Sequence, residues 1–535
     1  MTDAAPAAPS AAAPEQPIPW FGLLAVLLGT FISTLNGRLS TFGLNDIRGA
    51  VHAGFDEGAW ITTAQTASQM LILPMALWLG ALFGARRVLI GAAVAFAAIT
   101  FVEPFSPSLP LLLGFQFAGG LASGFFIPLT LSYILRSMPP RYWAYGIALY
   151  ALNLELSLNI SASLEGWYVD HLSWRWIFWQ NTPLALGLAA CLRFGTHRDP
   201  TAPLAPPTPD WFGLVSGGLG AALIYAALDQ GNRLDWLNSG VIVGLFVAGA
   251  VLLAGFLAHE WLHPTPVLNL KIIFSGVLPR LLLLVAFLRL TILSTAYLIP
   301  QFLTTVRGFR APEVGETLIW IATPQFAVCA VAGVMLRRLD ARLVAAIGFI
   351  MIALACLSVA HGLTAVWSSD QFAHSLLWQA LGQSLALSGV VFYAVLHLDP
   401  KDALTFGGAI QTARLLGGEI GAAFTATLVR VRGQIASNQL GMHVDTGDPA
   451  VLQRLNLYAA AAGRGAGPTV ANGRALAVLD QAVRRAASTQ AVIDSFVVIA
   501  GLTALALLLA SINRAAPRGP ASPLPLFAGL PGGEP

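Results

Sequence analysis

The chain has 535 residues, of which 56% are hydrophobic and only 10% are charged, whereas soluble domains carry about 25% charged residues. Its formal net charge of +3 is small and gives no reason to expect a nucleic-acid partner. The three cysteines lie in apolar segments without the spacing of a disulfide framework. These features exclude an ordinary soluble enzyme and predict an all-α, polytopic membrane protein.

Fourteen segments of the chain are long and apolar enough to cross a hydrocarbon core about 30 Å thick. Gly and Pro occur inside several of them, which membrane helices tolerate. We therefore predict fourteen transmembrane helices. In chain order, they cover residues 20–44, 59–83, 88–106, 111–135, 144–168, 177–194, 212–228, 241–257, 281–302, 316–336, 343–363, 372–396, 404–428 and 492–512.

Two polar links divide the spans into groups of six, two and six. A Pro-rich segment, THRDPTAPLAPPTPD, follows the sixth span, and a shorter polar link follows the eighth. A basic hairpin follows the second span of each six-helix group, with the sequences GARRVLIGA and LRRLDARLVAAIGF. Two equivalent halves around a site at the membrane midplane are typical of secondary transporters.

This division predicts six parts of the chain. We expect a disordered cytoplasmic N-terminus, an N-terminal six-helix bundle, a cytoplasmic linker, two extra transmembrane helices, a C-terminal six-helix bundle with a long periplasmic loop at 429–491, and a cytoplasmic tail. Their respective bounds are 1–19, 20–195, 196–210, 211–258, 259–512 and 513–535.

Lys and Arg residues are distributed unequally between the two sets of loops. If the N-terminus is cytoplasmic, fourteen of them lie in cytoplasmic loops and five in the short outer loops. Because cytoplasmic loops carry the excess of basic residues, we predict that both termini are cytoplasmic. The N-terminal segment lacks the basic region of a cleaved signal peptide, so the first apolar helix is expected to target the chain.

Six ionisable residues lie inside the predicted spans, away from their ends. A charged side chain at the bilayer centre costs about 2.5–3.5 kcal/mol on insertion scales, so a chain keeps one there for a partner or a proton. The fifth span, AYGIALYALNLELSLNISASLEGWY, carries such a residue at its middle. The six residues are Arg38, Glu155, Glu165, Arg289, Arg414 and Glu419.

Each buried charge has a functional and a structural interpretation. Glu155 is either a proton carrier or one member of a permanent ion pair with an arginine of another helix. Arg38 either faces a cavity and binds an anionic group, or extends to the outer membrane interface. Arg414 and Glu419 are five residues apart, about 140° around a helix, so they do not pair with each other. Substrate contact and structural pairing both stay open for Arg289, Arg414 and Glu419.

These charges and the polar residues near them form the predicted functional site, which contains no catalytic residue. The predicted proton-coupling residues are Glu155, Glu165 and Glu419. The predicted substrate-binding residues are Asn36, Arg38, Gln65, Gln116, Asn159, Arg289 and Arg414. We expect no metal site and no cofactor. No Gly-x-x-x-x-Gly-Lys-Ser/Thr segment occurs in the chain, so a proton gradient rather than ATP is the expected source of energy.

Four segments resemble the major facilitator superfamily in its fourteen-helix drug:proton antiporter branch, the EmrB/QacA type. They are HLSWRWIFWQNTP at 171–183, DWFGL at 210–214, YLIPQFL at 297–303 and ARLLGGEIGAA at 413–423. The resemblance extends over about residues 20–512. It implies two six-helix bundles with two extra helices, alternating access, and export coupled to proton flow. A periplasmic adaptor and an outer-membrane channel are the further partners that it implies.

The resemblance is incomplete where the family has its usual proton-relay and hinge residues. Asn36 and Thr41 stand where the family's first span has an Asp and, five residues later, an Asn. Gln116 stands where its fourth span has an Arg. The coupling residues are therefore sought among this chain's own buried charges.

We predict a proton-coupled efflux transporter of amphipathic organic compounds in a bacterial inner membrane, in contact with lipids. The buried arginines favour anionic or zwitterionic substrates, such as weak aromatic acids. One alternative is uptake of a small organic acid by proton symport. Another is a membrane scaffold or sensor that transports nothing.

Overall fold

The computed structural model describes residues 20–137, 142–195, 209–264, 266, 268–397, 403–445, 447–462 and 467–513. Within these ranges the regular elements are helices, and 12 helical segments are long and apolar enough to cross a membrane. This architecture confirms the predicted all-α, multi-pass membrane protein. The predicted N-terminus, most of the linker and most of the tail lie outside the described residues.

The described part of the N-terminal half contains six long helices, joined by loops with shorter helical turns, and the fourth is interrupted at Gly124 and Phe125. These helices are α1 (Trp20–Phe42), α2 (Trp60–Phe83), α3 (Ala85–Val102), α4 (Leu109–Ser123 and Phe126–Ser137), α5 (Trp143–His171) and α6 (Asn181–Gly195).

Two further helices lead to the C-terminal half. They are α7 (Trp211–Gly231) and α8 (Gly240–Leu262). The second half follows with α9 (Leu278–Thr291, continuing through Ser294–Leu298, Ile299–Phe302 and Leu303–Arg307), α10 (Ala311–Arg338), α11 (Ala341–Gly362), α12 (Ser369–Leu396), α13 (Ala403–Gly441), α14 (Pro449–Ala462) and α15 (Pro468–Ser511).

The count of fourteen spans is confirmed only in part. The sixth and thirteenth predicted spans are helical but are not among the 12 apolar segments. Helix α6 has only 15 residues. Helix α13 is long, but Arg414 and Glu419 lie in the middle of its apolar part and lower its hydropathy. Both helices nevertheless pack within the bundle, α6 against α1 and α3, and α13 against α9 and α15.

The segment that we expect to be a long outer loop is largely helical. Helix α13 continues to Gly441, α14 follows, and α15 begins at Pro468, well before the last apolar span. The Arg432 Nε atom of α13 lies 2.8 Å from the Asp494 Oδ2 atom of α15, which ties the two helical extensions together. The segment is rich in Ala, Leu, Arg and Gln, which favour helices, and α15 includes the stretch 472–489, for which the sequence itself allows an amphipathic helix.

The two basic hairpins have equivalent roles in the two halves. Arg86, in the first turn of α3, donates to the carbonyl oxygens of Leu192 (2.8 Å) and Arg193 (2.9 Å) at the end of α6. Arg342, at the start of α11, donates to the carbonyl oxygen of Asn513 (2.7 Å) after α15. A cation at the C-terminal end of a helix satisfies free carbonyl groups and interacts favourably with the helix dipole.

We call the end of the bundle that carries Trp20 and Asn513 the terminal face, and the other end the opposite face. Near the terminal face the two halves are in close contact. A Cβ atom on Gly407 would lie 2.7 Å from the Pro128 carbonyl oxygen, and one on Gly80 would lie 3.6 Å from Leu404 Cδ2. The halves therefore touch directly at these two points near the terminal face.

Candidate functional site

A cavity of about 320 Å³ lies between the two halves, nearer the opposite face. Helices α1, α2 and α5 of the first half and α9 and α13 of the second half contribute to its wall, together with α7. Five ionisable side chains besides tyrosine line it, and they come from four different helices. These residues are Arg38, Asp229, Arg289, Arg414 and Glu419.

Arg38 connects the two halves at this cavity. Its Nη2 atom donates to the carbonyl oxygen of Ala296 in α9 at 2.9 Å, and its guanidinium carbon lies 5.1 Å from the centre of the Phe42 ring. Ala296 belongs to a π-helical turn, Ser294–Leu298. Such turns change the hydrogen bonding of a helix locally and are frequent at functional sites. The side chain of Arg38 thus turns towards the other half of the molecule.

Arg289 and Arg414 lie beside Arg38. Arg414 is only 5% exposed, and its Nε atom donates to Gln411 Oε1 at 3.0 Å. Arg289 lies over α13, because a Cβ atom on Gly418 would be 3.6 Å from its Nε atom. In the described part of the chain, no ion pair within 4.0 Å joins these three arginines to a carboxylate. Their positive charges therefore remain available in the cavity.

The two carboxylates of the wall face each other near α7. Glu419 lies close to Tyr225 and Asp229, and Tyr225 also lies close to Thr66 of α2. Asp229 accepts hydrogen bonds from Thr63 and, at 3.2 Å, from Gln230. The predicted site omits Tyr225, which lies within the seventh predicted span, and Asp229, which lies one residue beyond the predicted end of that span at residue 228. Their spacing of four residues puts them on one helix face, and this is the sequence signal that could have identified them.

Glu155 lies behind the cavity wall. It is completely buried, and neither carboxylate oxygen has a hydrogen-bond partner. Leu158, one turn further along α5, lines the cavity, and Arg289 and Arg414 are close enough to attract the Glu155 charge. An ionised carboxylate without a hydrogen bond is costly to bury, so either a proton or an arginine must compensate it.

The other predicted site residues lie outside the cavity wall. Asn36 accepts a hydrogen bond from Asn181 of α6 at 2.6 Å, and the Asn159 amide donates to Gln325 at 3.3 Å. Gln65, Gln116 and Glu165 are buried, and each has a side-chain polar atom without a partner. The structure therefore brings together four of the predicted residues, Arg38, Arg289, Arg414 and Glu419.

A cavity between two six-helix halves of a multi-pass membrane protein is typical of secondary membrane transporters. The sequence model of the Major Facilitator Superfamily matches residues 26–422. The chain belongs to the major facilitator superfamily, which is a family of transporters rather than enzymes.

Named relatives support the assignment to the EmrB/QacA-type branch that the sequence resembles. The chain is 25% identical over 443 residues to the "Probable multidrug resistance protein EmrY" of Escherichia coli, covering 80% of this chain and 84% of that protein. It is 23% identical over 431 residues to the "Fatty acid resistance protein FarB" of Neisseria gonorrhoeae, covering 79% and 83%. These matches confirm the resemblance to the EmrB type.

Solved structures confirm the fold. The human organic anion transporter MFSD10 (TETRAN) aligns with a TM-score of 0.55 at 14% identity, over 93% of this chain and 100% of that chain. The proton:xylose symporter XylE aligns with the same TM-score of 0.55 at 11% identity, over 92% and 94%.

Proposed function

We propose that the protein is a proton-coupled exporter of amphipathic organic compounds that carry an anionic group, above all zwitterions. One observation carries the proposal: Arg38, Arg289 and Arg414 meet Glu419 and Asp229 in a single cavity between the two halves. Among relatives of this chain are proteins named for multidrug export and for fatty acid resistance, and both names fit amphipathic cargo.

The anionic group of the substrate would bind to the arginines. Guanidinium groups form paired hydrogen bonds with carboxylates, and each charge-assisted bond contributes more than a neutral one. Leu158, Ile292, Leu293 and Leu415 provide apolar surface in the same wall for the rest of the molecule. A largely apolar wall with a few charged groups is typical of a site for amphipathic ligands.

Exchange with protons follows from the two carboxylates. A cationic or hydrogen-bond-donating group on the substrate would bind to Glu419 and Asp229, where it competes with protons. Protonation of these carboxylates then favours release of the substrate, which is the condition for antiport. Glu155 would add a second proton site, because it lies behind the wall beside Arg289 and Arg414.

A second candidate function is uptake of a plain organic acid by proton symport. The observation that favours it is that three arginines but only two carboxylates line the cavity. An anion without a cationic group would reduce the attraction between arginines and carboxylates, so the carboxylates would bind protons when the anion binds. Anion and proton would then move together.

The cellular setting is part of the proposal. We place the chain in a bacterial inner membrane, with both termini in the cytoplasm. The opposite face would then be periplasmic, and the extended helices α13, α14 and α15 project at this face. A periplasmic adaptor and an outer-membrane channel are the proposed partners, and these helices are the part of the chain that would reach them.

Transport into everted vesicles with an acidified interior tests the proposal. We would compare three probes with the same apolar part, namely a zwitterion, a carboxylic acid and a quaternary amine. We expect the zwitterion to accumulate in the vesicles. Arg289→Gln should reduce its rate of accumulation by at least about tenfold, because one charge-assisted hydrogen bond contributes about 1.5–3 kcal/mol. Accumulation of the amine alone contradicts the proposal. Accumulation of the acid when the exterior is acidified supports symport instead.

A further inference from the structure

The end of helix α8 contains a pattern that the function proposed above does not use. Residues 259–263 read HEWLH, a His-Glu-x-x-His sequence that our expectation of no metal site did not take into account. Two histidines four residues apart lie on the same face of a helix, where both can bind one metal ion. The centres of the His259 and His263 rings are indeed 4.9 Å apart.

A carboxylate from the neighbouring helix completes the group. Asp210 caps α7, where its side chain accepts the backbone N–H of Gly213 at 3.1 Å. Its other oxygen, Oδ2, lies 2.8 Å from His259 Nε2. The ligand atoms of Asp210, His259 and His263 all lie within 4.8 Å of one another. Two imidazoles and a carboxylate form a ligand set that Zn²⁺ accepts in proteins.

Glu260 gives an independent reason to expect a cation here. It is only 2% exposed, and its Oε2 atom accepts the backbone N–H of Leu268 at 3.0 Å. Its Oε1 atom is buried without a hydrogen-bond partner. A Cβ atom on Gly213 would lie 2.4 Å from Glu260 Oε1 and 2.5 Å from Asp210 Oδ2, so the two oxygens come together over this glycine. Two buried carboxylates side by side repel each other unless a cation or a proton compensates them.

We propose that Asp210, His259 and His263 bind one divalent transition-metal ion of the Zn²⁺ type, and that Glu260 supplies the additional negative charge beside it. The ion would join the ends of α7 and α8 at the terminal face. Metalloproteases of this sequence pattern use the glutamate on a metal-bound water. Here Glu260 is buried and bound to the Leu268 backbone, so the site is structural rather than catalytic. Helix α7 also carries Tyr225 and Asp229 into the cavity, so the ion would fix a helix that lines it.

Direct metal binding tests this inference, and the result does not depend on which compound is transported. The full-length protein would be purified in detergent, stripped with a chelator and titrated with Zn²⁺, while bound metal per chain and the melting temperature are measured. We expect one Zn²⁺ per chain and a higher melting temperature. Co²⁺ should give the visible absorption of a low-coordinate site.

Variants separate a metal site from a simple ion pair. His263→Gln keeps the Asp210–His259 contact and the helix cap, so it should fold normally but lose at least about tenfold in Zn²⁺ affinity. His361→Ala, which changes an exposed histidine of α11, is the matched control and should bind Zn²⁺ as the wild type does. Substoichiometric binding in the wild type, or equal affinity in His263→Gln, would overturn the proposal and leave only an Asp210–His259 ion pair.

Discussion

At the scale of single residues, Glu155 and the three arginines are close to one another without forming direct ion pairs. Both oxygens of Glu155 lack a hydrogen-bond partner, and the Nε atoms of Arg38 and Arg289 lack one as well. A permanent structural pair would place its charged atoms in contact, because only good geometry compensates the desolvation of two ions. The observed separation instead suits groups that exchange partners or protons during a cycle.

Glu155→Gln tests this interpretation. The variant keeps the shape of the side chain but cannot carry a proton, so it should insert and fold normally while flux no longer responds to a pH gradient. We would measure substrate accumulation in vesicles with and without the gradient. Glu103→Gln is the matched control, because Glu103 is also buried (2% exposed) with an unpartnered oxygen, but only Glu155 lies close to the cavity-lining Arg289 and Arg414. Unchanged gradient-driven flux in Glu155→Gln would remove this residue from the mechanism.

At the scale of the helices, the extra helix α7 packs against both six-helix halves and helps to line the cavity between them. It packs so closely on α2 that a Cβ atom on Gly218 would lie 2.1 Å from the Leu71 carbonyl oxygen. It also contacts α13, and it places Tyr225 and Asp229 in the cavity wall. Small residues allow this approach, since membrane helices associate through close packing.

Gly218→Val should therefore separate α7 from α2. Overpacking of this kind costs about 1–3 kcal/mol, so we expect a lower melting temperature in detergent and reduced transport at normal expression. The control is Gly244→Val in α8, where an added Cβ atom meets nothing within 4 Å. If Gly218→Val transports as well as its control does, α7 has no part in the cavity's function.

At the scale of the whole molecule, the two halves are in contact at one end and enclose a cavity towards the other, which is the arrangement expected for one state of the proposed alternating-access cycle. The cavity lies towards the opposite face, whereas Gly80 and Gly407 bring the two halves into close contact near the terminal face. Helices α5 and α10 pack closely near both ends, at Gly166 with Pro312 and at Tyr145 with Gly333. Movement of the halves about the α5–α10 contact would open the terminal face and close the other.

Gly407→Val should shift this equilibrium, because a larger side chain cannot fit against the Pro128 backbone. We would label Thr62→Cys, which lines the cavity, with a membrane-impermeant thiol reagent from the opposite face in a background without the native cysteines. If the Gly407–Pro128 contact stabilises the state with a closed terminal face by about 1.4 kcal/mol, its loss shifts the equilibrium between the two states about tenfold. Fewer molecules then expose position 62 to the opposite face, so the labelling rate falls. Gly91→Val, where an added Cβ atom meets nothing within 4 Å, is the control. Equal labelling of both variants would show that this contact does not hold the state.

The amino-acid sequence by itself determined the membrane class, most of the spans, the two equivalent halves and the six buried charges. These features depend on composition and on the length of apolar segments, which the bilayer fixes. The helical part of the outer segment at the start of α15 also follows from composition, since 472–489 is rich in residues that favour helices.

Only the tertiary structure decided which charges meet. Arg38, Arg289 and Arg414 are separated by more than a hundred residues from one another in the chain, yet they line one cavity, while Asn36 and Asn159 hydrogen-bond elsewhere. Asp229 and the Asp210–His259–His263 group likewise depend on how α7 packs against its neighbours. A membrane helix is apolar on nearly every side, so hydrophobic periodicity does not reveal which face meets another helix. That choice is made by close packing between helices, which no single segment of sequence contains.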